Sequence, residues 1–130
     1  MTVYDSSVLI DYLTGETNAV DYVETHSNQR AVAPPMVLFE VYRGEIYKSG
    51  PPDFDAVDTA LQWLDIVEES RGQARAAADA QHELQARGIP LSARDAFITG
   101  TAKQLDEPLA VSDSDFAVDG ISDVLDIDLL

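Results

Sequence analysis

The sequence predicts an α/β domain, a short central parallel sheet with helices on both faces, formed by residues 1–130 as one unit. Three observations predict it. Apolar runs such as Val3-Tyr4, Ala31-Val32-Ala33 and Leu109-Ala110-Val111 are too short for buried helices and suit buried strands. Longer stretches with helical spacing follow most of them, and strands that alternate with helices form parallel sheets through right-handed crossovers. At 130 residues, 45% of them hydrophobic, the chain is long enough for one real core and short for two.

Taken in order, Val3-Tyr4 gives way at Asp5 to a helix whose apolar positions are Val8, Leu9, Tyr12 and Leu13, with Ser6 or Ser7 placed to cap it. Thr14-Gly15-Glu16 turns the chain into a second short helix carrying Ala19, Val20, Tyr22 and Val23. Ala31-Val32-Ala33 is the second strand, stopped by Pro34-Pro35, which can open a helix. That helix, about Pro35 to Lys48, is apolar around most of its circumference and is expected to be largely buried. Ser49-Gly50-Pro51-Pro52 breaks it, and Phe54, Val57, Leu61 and Leu64 space out another.

Asp65-Ile66-Val67-Glu68 suits a third strand. A helix from Ser70 to about Arg87 follows, with Ala74, Ala77, Ala78, Gln81 and Leu84 on its inner face and Gly88 past its end. Ser92 caps a helix through about Leu105, Leu109-Ala110-Val111 is the fourth strand, and Val124-Leu125-Asp126-Ile127 the last.

Composition excludes several chemistries. Without cysteine there are no disulfides, thiolate nucleophiles or cysteine-ligated zinc. The N-terminus has no basic segment followed by an apolar one, and no apolar run approaches the roughly 18 residues of a membrane span, so a cytoplasmic location without membrane contact is expected. Twenty-four acidic residues oppose eight basic ones, a net charge of −16, and only Lys48 and Lys103 are lysines. Such a surface repels polyanions at low salt. In molar salt the Debye length falls to about 3 Å and the repulsion is screened, so this balance in a folded composition points to a halophilic protein.

Most of the acids belong to solvated surface, and four have a local argument for more. Asp5 stands where the first strand ends, the edge at which α/β sheets bind ligands, although an Asp there can equally cap the helix. Glu40 is the one charged residue between Arg30 and Arg43, on an apolar helix where an unpaired carboxylate is costly. Gly44, one turn on, suggests that something approaches that face closely. Asp95 lies three residues after Ser92, which fits a capping box as well as a ligand. Asp113 takes the place after the fourth strand that Asp5 takes after the first, and it and Asp115 can also be turn residues.

Together the segments Asp5-Ser6-Ser7-Val8-Leu9-Ile10, Glu40-Val41-Tyr42-Arg43-Gly44, Asp95-Ala96-Phe97-Ile98 and Asp113-Ser114-Asp115-Phe116 resemble the PIN domain, and within it the VapC-type toxin ribonucleases. The order and spacing cover nearly the whole chain. One departure is that the family's threonine falls on Val111, with Ser112 one residue late.

The resemblance implies hydrolysis of RNA phosphodiester bonds, with Asp5, Glu40, Asp95 and Asp113 catalytic and Asp115 a fifth metal ligand. It also implies a cognate antitoxin and a homodimer. A cluster of carboxylates without cysteine or histidine suits a hard ion, Mg²⁺ or Mn²⁺. Ser7, Arg43 and Arg94 are the expected substrate contacts, with Arg75 and Arg87 as further phosphate ligands. His26 and His82 show no paired ligand spacing and are expected at the surface. The rival from another class is a non-catalytic PIN-like interaction module whose acids are halophilic surface; metal affinity separates the two.

Overall fold

The computed structural model describes residues 1–130, and its strands are all three residues long. They are β1 (Thr2–Tyr4), β2 (Ala31–Ala33), β3 (Leu64–Ile66), β4 (Leu109–Val111) and β5 (Ile127–Leu129). All pair in parallel, in the order β3-β2-β1-β4-β5. The helices are α1 (Ser6–Thr14), α2 (Thr17–Thr25), α3 (Pro35–Ile46), α4 (Phe54–Ala60), α5 (Arg71–Ala86) and α6 (Ala93–Leu105).

Every residue of β1, β2 and β4 is buried, as a parallel sheet covered on both faces requires. Val3 sits in register between Val32 and Leu109 at the centre of one continuous core. Chain order reverses at this point: β1 leads to β2 and β3 on one side, while β4 and β5 lie on the other. The carboxyl ends of β1 and β4 therefore flank a topological switch point, where open α/β sheets leave a crevice.

α6 is the most enclosed helix, with seven buried residues from Asp95 to Ala102. It packs on α5 through Gly100, where a β-carbon would fall 2.4 Å from the backbone nitrogen of Ala77. α5 opens with a full capping box: the Ser70 hydroxyl accepts from the Gln73 N–H, and the Gln73 side chain accepts from the Ser70 N–H at 2.7 Å.

The structure corrects the expected elements in six places. α1 is capped by Asp5, whose carboxylate accepts the Ser7 N–H, and not by Ser6 or Ser7. α3 is not largely buried: only Val37 and Val41 are, and Phe39, at 60% exposure, faces solvent together with Ile46 and Tyr47. It lies against α1 and α4 along one stripe, and nothing covers its outer side. The inner face of α5 is Gln73, Ala77, Ala80 and Leu84, while Ala74 and Ala78 are exposed; the contact with Gly100 fixes that rotation.

β3 begins at Leu64, a residue early, because Ala31 of β2 selects Leu64 as its partner. β5 starts only at Ile127, since Leu125 is drawn into the core ahead of it. Nothing approaches Gly44, where a β-carbon would meet open space, so no close contact explains that glycine.

Candidate functional site

At the switch point lies an open cleft of about 430 Å³, lined by Asp5, Ser6, Ser7, Ile10, Glu40, Ser92, Arg94, Asp95, Asp113 and Asp115. A single hydrophobic residue among ten makes it a site for polar ligands. Four elements deliver the acids. β1 ends at Asp5; the middle of α3 presents Glu40; the first turn of α6 presents Asp95; and the turn after β4 presents Asp113 and Asp115.

Asp5 is fully buried, and both its carboxylate oxygens are held. Oδ2 accepts the Ser7 hydroxyl at 2.7 Å and the Ser7 N–H at 3.3 Å, while Oδ1 accepts from Arg94 Nη2 at 2.9 Å. The Ser7 oxygen in turn accepts the Ser112 N–H at 3.0 Å, which ties the end of β4 to the start of α1. Ser7 thus orients Asp5 from within the cleft. The Ser112 hydroxyl turns away and donates to Asp11 at 2.8 Å, so neither it nor the apolar Val111 brings a hydroxyl to the carboxylates.

Arg94 is where the structure departs most from expectation. Its guanidinium points inward among the acids: Nε donates to Glu40, Nη1 to Asp95, and Nη2 to Asp5 and to the Ser6 hydroxyl at 2.6 Å. Burial alone would favour losing its charge, but the hydrogen bond to Glu40 and the charges of Asp5, Glu40 and Asp95 outweigh that and hold it firmly protonated. In this structure Arg94 is a counter-ion to the cleft's own acids. Arg43 is exposed and lies over the Tyr47 ring, Arg75 pairs with Asp79, and Arg87 pairs with Glu83 and Asp123. None of those three lines the cleft.

Asp95 shows which role its position serves. The Ser92 hydroxyl accepts the Asp95 N–H at 3.1 Å, but the return bond of a capping box is not made, because the carboxylate is turned to Arg94. Burial raises its pKa, against the lowering effect of Arg94, and the nearby charge of Asp5 adds to the rise.

The donor set suits a hard cation. Oxygens of Asp95, Asp113 and Asp115 lie within 4.8 Å of one another, close to the span of oxygens that share one ion. Glu40 Oε1 is buried without a hydrogen-bond partner, a cost that a water bound in the cleft would remove. The Asp113 carboxylate accepts the Asp115 N–H at 2.9 Å, which holds the turn in place. His82 is exposed, and His26, stacked on Tyr22 at 3.9 Å, belongs to another surface. The supporting roles of Ser6 and the Ser112 N–H had no signal in the sequence beyond their neighbourhood to the acids, whereas the Ser92 cap was legible there.

The fold recurs in solved structures with little sequence in common. A toxin-antitoxin complex from Klebsiella pneumoniae superposes with a TM-score of 0.76 at 21% identity, covering 93% of this chain and 94% of that one. VapBC2 from Rickettsia felis, bound to a DNA fragment from its promoter, gives 0.81 at 14% identity over 98% and 97%. FitAcB from Neisseria gonorrhoeae gives 0.79 at 18% over 98% and 96%. No curated protein matches the sequence. The family model described as PIN domain matches residues 2–119, from β1 through the acidic turn after β4. The chain accordingly belongs to the PIN domain family.

Proposed function

We propose that the chain is a Mg²⁺- or Mn²⁺-dependent ribonuclease, the toxin of a toxin-antitoxin pair. The observation that carries the reading is the convergence of five carboxylates from four elements on one polar cleft, with Asp95, Asp113 and Asp115 close enough to share an ion. Asp95, Asp113 and Asp115 would hold a divalent ion, which would supply positive charge at the scissile phosphate and activate water. The residues of the chain do the rest: Ser7 locks the Asp5 carboxylate, the Ser92 cap fixes the first turn of α6, and the cleft is open to solvent.

The antitoxin is proposed because the three solved structures are described as a toxin-antitoxin complex, VapBC2 and FitAcB. The exposed Phe39, Ile46 and Tyr47 on and just past α3 are apolar surface that a partner protein or a second copy would cover. No helix is long and apolar enough to cross a membrane.

A non-catalytic interaction module is the second reading, and Arg94 is the observation in its favour, since it already neutralises part of the cluster. RNA cleavage decides between them. With Mn²⁺ or Mg²⁺ the wild type is expected to cut single-stranded RNA, chelation to stop it, and Asp113→Asn to abolish it while the circular-dichroism spectrum stays unchanged. Cleavage absent at every salt concentration with either ion supplied overturns the nuclease reading.

A further inference from the structure

Arg94 divides the cleft into two unlike halves. One is lined by Asp5, Glu40 and Asp95 and filled by the guanidinium; the other is lined by Asp95, Asp113 and Asp115 and open to solvent. Asp95 belongs to both. Of the five N–H groups of an arginine, Arg94 commits four, to three carboxylates and the Ser6 hydroxyl. The planar fork of the guanidinium serves three acids from three elements at once. The first turn of α6, fixed by the Ser92 cap, leaves the side chain anchored at its base, and its 28% exposure leaves it little solvent to escape into.

We propose that Arg94 is a resident cation of this cleft: it occupies one of two cation positions, so the chain takes up a single divalent ion, between Asp95, Asp113 and Asp115, and loss of the guanidinium opens the other half to a second. The proposal rests on the metal-dependent reading of the same cleft.

Charge and the lone pairs of Asp5 both favour it. Five carboxylates against one guanidinium leave the cleft at −4 (five negative charges minus one positive), which one divalent ion halves. An ion entering the filled half has to take Asp5 Oδ1 from Arg94, and Asp5 Oδ2 is already committed to Ser7. It would also stand within a few ångströms of the guanidinium and be repelled by it. In the open half no donor competes for Asp115, whose side chain faces solvent.

Mn²⁺ is the probe, counted by the electron-spin resonance of the free ion as it is titrated into the full chain. The wild type is expected to bind one Mn²⁺, Arg94→Lys one, and Arg94→Gln two. Glu40→Gln, on the filled half, keeps the single ion with affinity within about threefold, whereas Asp115→Asn weakens it at least tenfold. The last two variants decide the matter even where Arg94→Gln fails to fold. Two ions in the wild type, one in folded Arg94→Gln, or equal losses in Glu40→Gln and Asp115→Asn overturn the proposal and leave the metal-dependent reading standing. No ion in the wild type overturns both.

Discussion

Asp5 caps a helix with one oxygen and pairs with Arg94 through the other, and the two roles separate on substitution. Asn caps about as well as Asp but carries no charge, so Asp5→Asn keeps α1 and weakens a buried charge-assisted bond. The metal-free protein is expected to lose about 1–3 kcal/mol, measured by urea denaturation in chelator. Tyr22 offers a test by pH. Burial, and then its 2.5 Å hydrogen bond to Asp128, raise the Tyr22 pKa well above the ordinary 10, and burial pushes Tyr4 up to about 12. Above pH 10 the unfolded chain has released protons that the native state keeps, so stability is full below that value and falls as pH rises toward the folded pKa values. Urea midpoints measured from pH 8 to 11 are expected to drop in the wild type, and to drop less in Tyr22→Phe.

Among the elements, α6 matters most, because it carries Asp95 and Arg94 on its first turn and is held in place by α5. Gly100→Ala puts a methyl carbon 2.4 Å from the Ala77 nitrogen, against backbone that cannot yield as a side-chain tip does. The helices must part, at a cost of about 1–3 kcal/mol or more, read as a lower urea midpoint. Ser70→Ala, at the start of α5, removes a capping bond and is expected to cost about 0.5–2 kcal/mol by the same measurement. The existence of these helices was legible in their caps and spacing. The rotation of α5 was not, since alanine at 74, 76, 77, 78 and 80 lets several faces compete, and a glycine on another helix chose between them.

The whole molecule carries net −16, and self-repulsion at that charge opposes compaction. Screening relieves it, so the melting temperature is expected to climb from 0.1 M toward about 2 M potassium chloride, where the Debye length is below about 3 Å. Each ~1 kcal/mol of relieved repulsion raises it by about 4 °C. A melting temperature independent of salt removes the halophilic reading. Binding of RNA moves the other way with salt, in proportion to the cations that meet phosphate. With Arg43, Arg75 and Arg87 all away from the cleft, that slope is expected to be shallow.

By itself the sequence determined the fold class, the strand positions near the centre of the sheet, and which acids stand at strand ends and helix starts. Those properties follow from short-range periodicity, capping and burial, which neighbouring residues set among themselves. Tertiary structure alone decided that Glu40, 35 positions beyond Asp5 in the chain, and Arg94, 89 positions beyond it, meet Asp5 in one cleft. It also decided the direction of Arg94. An arginine beside an aspartate is ordinarily a solvated surface pair; here three elements bring carboxylates within reach of one guanidinium, and their summed charge turns it inward.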